Sequence, residues 1–281
     1  MFIRKKPYTG PVRAVVLDWA GTAVDYGCMG PAAVFINLFK EAGIPVETQD
    51  ARQFMGLAKK DHIRAMLALP HLASAWEAEY GRSPEEADVE ALYKKTAPMM
   101  IKAISGNSDP IPGAVQTLER LREMKIKVGS STGYVREMMD VLAPLAREKG
   151  YAPDAVFCSS DVPAGRPWPW MCYLNAVALE TYPLEAMVKI GDTRADIQEG
   201  LNAGMWTVGI TKTGNEMGLD RTAVESMDEK ALFLRLSALK SRFKNWGAHY
   251  VIEEIGQIFP VLQEINQHLA RGEQPLAGGA A

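Results

Sequence analysis

The chain has 281 residues, 47% of them hydrophobic and 23% charged, with 24 Gly, 17 Pro and a formal net charge of −3. That balance excludes a disordered chain and argues against nucleic acid or an anionic membrane as a partner, and the length suits one large domain or a core carrying an insertion. No apolar run is long enough to span a bilayer. The basic opening MFIRKKPYTGPVR lacks the apolar stretch of a secretion signal, and Cys28, Cys158 and Cys172 are too scattered for a disulfide framework or a zinc site. A reduced cytoplasmic protein is expected.

In chain order, RAVVLD (13–18) reads as a first strand. The block from residue 28 to residue 105 then reads as helical throughout, over GPAAVFINLFKEAGI, ARQFMGLAKKDHIRAMLAL, HLASAWEAEYG and PEEADVEALYKKTAPMMIKAI. With no convincing strand inside it, the block is expected to be a cap domain inserted into a core of residues 1–27 and 106–269. A helix (112–125) with Pro near its start follows, then a strand IKVGSST (126–132) and a helix (135–150) ending at Gly150. AVFCSS (155–160) and MVKIGDT (187–193) read as strands, DIQEGLNAG (196–204) as a helix and WTVGIT (206–211) as a strand. The strands are apolar on both faces, so helices must cover both sides of the sheet. The fold class is therefore α/β, a doubly wound parallel sheet with an α-helical insertion. ARGEQPLAGGAA (270–281) reads as a flexible tail.

Ligands of an open parallel sheet bind beyond the carboxyl ends of its strands. Those ends supply Asp18, then Ser131 and Thr132, then Asp161 with Arg166 in the following loop, then Asp192 with Asp196 close behind. Carboxylates can hold Mg²⁺, which bridges a phosphoryl oxygen. A hydroxyl and a guanidinium can take the remaining oxygens, and a carboxylate can itself attack phosphorus. Any one of these residues alone would more often be a turn or capping residue. Together, DWAGT, SSTG, Arg166 and GDTRAD resemble the four motifs of the haloacid dehalogenase-like superfamily of phosphotransferases. The resemblance implies a Rossmann-like core, Asp18 as the nucleophile and Thr132 or its neighbour Ser131 as the hydroxyl on the phosphoryl group. It implies Arg166 in the place of the more usual Lys. Mg²⁺ would be held by Asp18, Asp192 and the backbone carbonyl of Ala20, with Asp196 as a further ligand or a partner behind the ligands.

Ala20 departs from the superfamily's Asp-x-Asp pattern, whose second Asp protonates an alkoxide leaving group. A methyl group carries no proton, a loss of roughly 10²–10⁴ in rate for an ordinary phosphate ester. A leaving carbon, by contrast, needs an electron sink. FMGLAKKDHIR sets Lys59 and His62 three residues apart, on one side of a helix. A lysine can condense with an aldehyde to an iminium, and His62 could move the protons of that step. Adjacency alone does not say whether Lys59 or Lys60 reacts. The stretches DWAGT, MGLAKKDH, STGYVREMMD, DVPAGRPWPWMCY and NAGMWTVG resemble the branch of the superfamily that cleaves a carbon–phosphorus bond, where the Schiff-base lysine falls on Lys59. That resemblance further implies a small aldehyde-bearing phosphonate as substrate, made by transamination of an aminophosphonate, and a homodimer formed through cap helices. Met55, Cys28 and Tyr134 are expected to line the pocket and RPWPW to aim Arg166, while Asp25 takes no assigned role. The competing readings are a sugar-phosphate phosphatase or mutase of the same superfamily and a non-catalytic phosphate-binding protein.

Overall fold

The computed structural model of the chain describes residues 6–275, so the last residues of the expected tail, 276–281, lie outside the described residues. β1 (Ala14–Leu17) is followed by five helices: α1 (Met29–Glu41), α2 (Thr48–Arg52), α3 (Lys59–Leu67), α4 (Pro70–Tyr80) and α5 (Glu86–Gly106). Then come α6 (Ala114–Glu123), β2 (Lys127–Thr132), α7 (Arg136–Glu148), β3 (Ala155–Cys158), α8 (Trp170–Ala178), β4 (Met187–Gly191), α9 (Arg194–Ala203) and β5 (Trp206–Ile210). Beyond residue 211 the chain forms α10 (Arg221–Glu225), α11 (Glu229–Asn245), β6 (Tyr250–Ile252) and α12 (Ile258–Ala270).

All pairings are parallel, in the order β3-β2-β1-β4-β5-β6. This is the doubly wound α/β sheet read from the strand–helix alternation. β1 lies between β2 and β4, where the winding reverses, and the crevice beyond its carboxyl end is the expected ligand position. Leu17 is in register with Ser130 on one side and Ile190 on the other, so the chain leaves all three strands at one level.

Side-chain alternation divides the core. Ala14 and Val16 face α8 and α9, packing with Cys172, Leu179 and Ala203. Val15 and Leu17 point the other way into a larger cluster with Leu118, Leu121, Met138, Leu142 and Leu262. α7 buries Met138, Met139, Leu142 and Ala146, one helical face. α9 opens on a capping box between Thr193 and Asp196 and closes on Gly204 in the left-handed region. The helices after β1 share the larger core: Phe35, Leu38 and Phe39 of α1 join Trp76, Leu92 and Met100 in the same cluster, and α5 packs along α1, α3 and α7. No helix among the described residues is long and apolar enough to cross a membrane.

Three elements differ from expectation. β6 is an additional edge strand of three residues, too short for an alternation pattern to mark. The stretch 51–69 is not one helix: it breaks between Arg52 and Lys59 at a turn containing Gly56, whose φ is +87°. Gly56 packs on Thr193, and a Cβ there would run into the threonine hydroxyl. The strand expected over 155–160 stops at Cys158, because Ser159–Asp161 turn into a 3₁₀ helix and Asp161 accepts a hydrogen bond from the Cys158 amide at 2.8 Å.

Candidate active site

The loops after β1, β2 and β4 converge with the loop carrying Arg166. Asp18, 5% exposed, follows β1, and its amide donates to the Ile190 carbonyl at 3.0 Å. Arg166 is fully enclosed and ordered by acceptors on every side. Nη2 donates to Asp18 Oδ1 at 2.8 Å and to the Ser131 carbonyl at 2.6 Å, Nε donates to Glu199 Oε2 at 2.9 Å, and Nη1 faces Asp196 Oδ1 at 2.9 Å. Such a guanidinium is held in one orientation by its fork of donors.

The two β2 hydroxyls part company. Ser131 Oγ donates to Glu199 Oε2 at 2.9 Å, away from the crevice, whereas Thr132 faces the cavity and its Oγ1 accepts from the Tyr134 amide at 3.2 Å. Of the pair left open by the motif, Thr132 is the hydroxyl available to a ligand.

Asp192, at the end of β4, accepts from the Asn215 amide at 2.7 Å and from Cys28 Sγ at 3.3 Å through Oδ2, and from Thr22 Oγ1 at 3.3 Å through Oδ1. One oxygen each of Asp18, Asp192 and Asp196 lies within 4.8 Å of the others. Burial, then repulsion from Asp18 and Asp196, pushes the Asp192 carboxyl well above its ordinary value; burial and Asp196 push Asp18 the same way. Two buried carboxylates that resist ionising together are what a divalent cation relieves, so the donor set fits one. Asp196 differs. Both its oxygens are engaged, Oδ1 by Lys189 Nζ at 2.6 Å and Oδ2 by Thr193 Oγ1 at 2.5 Å, and burial is outweighed by Arg166 and Lys189, which hold it below the usual carboxylate range.

The helical insertion supplies the other wall. Lys59, the first residue of α3, is 4% exposed, and its Nζ stands 4.7 Å from the centre of the Tyr134 ring and 5.6 Å from that of Phe35. Burial lowers its pKa to about 8, against the raising effect of Asp18 and Cys28 and with further lowering from Arg166. Among the described residues no carboxylate lies within ion-pairing distance of it. Lys60 points out to Glu86 and Glu90. Of the two adjacent lysines, Lys59 lines the cavity and Lys60 does not.

Asp18, Ala20, Cys28, Met55, Gly56, Lys59, Thr132, Tyr134, Arg166 and Thr193 line one narrow cavity of about 30 Å³, room for a water or two. Cys28, Met55 and Tyr134 therefore lie where they were expected. His62 is not brought into the cavity. Its ring is completely buried, stacked 3.7 Å from Phe35 and set against the Ala51 backbone, and burial with the neighbouring Lys59 charge keeps its pKa well below the ordinary histidine value, against the raising effect of Ala51. Asp25 accepts from the amides of Met29 and Gly30 at 3.0 and 3.3 Å and anchors the start of α1. Asp161 pairs with Arg136 outside the site.

Several residues were not legible beforehand. Lys189 is fully buried inside β4 and, with Glu199 of α9, completes a dry cluster with Arg166 and Asp196. The one charge in the apolar run MVKIG was its signal. Glu199, three residues after Asp196 on the same helix face, was the signal for its partner. Asn215 gave none.

A family model described as haloacid dehalogenase-like hydrolase matches residues 12–204. A relative from Syntrophobacter fumaroxidans named phosphonoacetaldehyde hydrolase is 50% identical, covering 98% of this chain and 99% of its own. Another of that name, from Nitratidesulfovibrio vulgaris, is 49% identical over 98% of each chain. The crystal structure of a phosphonoacetaldehyde hydrolase-like protein from Oleispira antarctica superposes with a TM-score of 0.95 at 39% identity, covering 98% of this chain and 100% of that one.

Proposed function

The chain belongs to the haloacid dehalogenase-like hydrolases, and on that footing we propose that it is a phosphonoacetaldehyde hydrolase, cleaving the carbon–phosphorus bond of phosphonoacetaldehyde to acetaldehyde and phosphate. The observation that carries this reading is that an amine, Lys59, and a carboxylate, Asp18, line one cavity in which Ala20 takes the place of a proton donor. An ester leaving group needs that donor; a carbon leaving group attached to an iminium does not.

The Lys59 amine adds to the aldehyde and water leaves, giving a protonated imine. Asp18, its rotation held by Arg166, attacks phosphorus as the carbon–phosphorus electron pair moves into the iminium and forms an enamine. The phosphoryl group is then on Asp18, where Arg166 and Thr132 can hold its oxygens. Water releases phosphate and restores the carboxylate. The enamine is protonated on carbon, and hydrolysis of the resulting imine releases acetaldehyde and the amine. Met55 and Tyr134 keep bulk water from the iminium, and His62 packs behind Lys59 as a neutral ring. Asp18, Asp192 and the Ala20 carbonyl would hold Mg²⁺, which supplies charge neutralisation between the attacking carboxylate and the phosphoryl oxygens. In the cell the aldehyde would come from transamination of an aminophosphonate. The helices between β1 and β2 would act as a cap over this chemistry.

The test is to incubate the protein with phosphonoacetaldehyde and measure both products, with and without a chelator. Equal amounts of acetaldehyde and phosphate, lost on chelation and restored by Mg²⁺, are expected. Sugar phosphates should turn over about 10²-fold or more slowly. Faster turnover of a sugar phosphate, or ligand binding without either product, overturns the reading.

A pH dependence follows from Lys59. Its reactive form is neutral, so protons inhibit. With a pKa of about 8, roughly one amine in ten is free at pH 7, against about one in 2,500 for an ordinary lysine. Single-turnover imine formation is expected to rise about tenfold per pH unit below that value and level off above it. A flat profile from pH 6 to 8 means that the amine is not the titrating group.

A further inference from the structure

We propose that Arg52 is a positioning residue: it clamps the turn that delivers Lys59 to the loop that holds Asp192, so that the lysine is seated over Asp18 only when that loop is in place. This rests on the reading of Lys59 as the reacting amine.

Met55, Gly56 and Lys59 form one side of the cavity, so the turn over residues 53–58 sets where the lysine sits. The wall formed by residues 53–58 rests on small core residues. Gly56 packs against Thr193, Leu57 lies over Gly133 and Ala58 over Gly165, contacts of small and apolar groups. What fixes it is at its root. Arg52 ends α2, and its carbonyl accepts from the Met55 amide at 3.1 Å, which starts the turn. The same carbonyl accepts from Asn215 Nδ2 at 3.0 Å, while Arg52 Nη1 donates to Asn215 Oδ1 at 3.2 Å and to the Gly27 carbonyl at 2.8 Å. Asn215 in turn gives its amide to Asp192 Oδ2. One asparagine thus reads Arg52 with both ends of its side chain and Asp192 with its backbone.

The guanidinium contacts three places: the Gly27 carbonyl just before α1, Met29 Sδ at 3.4 Å, and Asn215. Among the described residues no carboxylate is within ion-pairing distance of it. A group bonded only to carbonyl, amide and thioether acceptors on separate segments serves to hold those segments together. Lysine, with a compact ammonium, could not span them at once.

The test compares Arg52→Ala, Arg52→Lys, Asn215→Ala and the Arg52→Ala/Asn215→Ala pair with the wild-type chain. Two quantities are read: amide hydrogen exchange over residues 53–60, and the rate at which borohydride with phosphonoacetaldehyde traps Lys59. In Arg52→Ala, exchange over 53–60 is expected to rise at least about tenfold while α9 and the sheet keep their protection, and trapping is expected to slow by a similar factor. The double variant should be no worse than the worse single one, because both remove the same contact, and Arg52→Lys should recover only part. Exchange and trapping within twofold of wild type overturn the proposal. So does protection lost evenly across the whole chain, which is ordinary destabilisation. If wild type traps no adduct at all, the lysine reading has failed, and the exchange comparison alone decides whether Arg52 holds the turn. If Arg52→Ala does not fold, Arg52→Lys and Asn215→Ala give the same comparison.

Discussion

Lys59→Ala is expected to lower carbon–phosphorus cleavage by about 10³-fold or more, because the variant has no electron sink to replace the missing proton donor at Ala20. Lys59→Arg should be as inactive. It keeps a cation near Tyr134 and Phe35, but a guanidinium does not condense with an aldehyde at neutral pH. The pair of variants therefore separates a covalent role from an electrostatic one. If Lys59→Arg retains activity within tenfold of wild type, the lysine serves as a charge and the imine is wrong. Borohydride supplies a direct readout: wild type turning over substrate should carry an ethyl group on the peptide containing Lys59, the reduced remnant of acetaldehyde.

Asp18→Asn is expected to abolish turnover, by about 10⁴-fold or more, since an amide oxygen is a poor nucleophile toward phosphorus. The informative part is what survives. Lys59 lies on a different element and should still form its imine. Borohydride trapping of Asp18→Asn should therefore leave the whole phosphonate on Lys59, phosphorus included, where wild type leaves only two carbons. Mass spectrometry of that peptide distinguishes the two. A phosphorus-free adduct in the variant would mean that the bond breaks without Asp18, and would remove the carboxylate from the nucleophile's place. Asp18 Oδ1 is bonded to Arg166, and the asparagine can keep that bond through its carbonyl oxygen, so the substitution changes the chemistry more than the packing.

How much of this could be read beforehand varied with the kind of signal. The sheet was legible because β1, β4 and β5 are buried along their whole length and so are predominantly apolar on both faces, Lys189 of β4 and Thr207 of β5 being the polar exceptions. Asp18 and Asp192 were legible because each ends such a run. Parity was harder. Ser131 and Thr132 are both buried, and only the pleat decides that one faces Glu199 and the other the cavity. The helical insertion hid its most important feature, the break before Lys59. An apolar period runs through 51–69 without interruption, and what breaks the helix is a tertiary contact, Gly56 on Thr193. The same break puts Lys59 at the start of a helix, facing the cavity, and leaves Lys60 paired with Glu86 and Glu90. His62 was placed on the correct face, yet it lies among aromatic rings rather than at the cavity. Asn215 was invisible because it meets Asp192 through a backbone amide, which every residue but proline possesses, and meets Arg52 through a side chain whose partner lies 163 residues away in the chain.

The dry cluster of Arg166, Lys189, Asp196 and Glu199 has a consequence for how the molecule comes together. Two acids and two bases cancel one another, but only when all are present. They arrive from two parts of the chain: the loop carrying Arg166, and a central strand with the helix that follows it. An intermediate with the strand and helix docked but the loop still loose would enclose one amine between two carboxylates. Leaving a buried ion without its counterpart costs about 3–5 kcal/mol. Half-assembled forms are thereby disfavoured, and the loop whose arginine holds Asp18 is bound into the same cooperative unit as the sheet. The fold thus admits few states in which the scaffold is complete and the Arg166 loop is not.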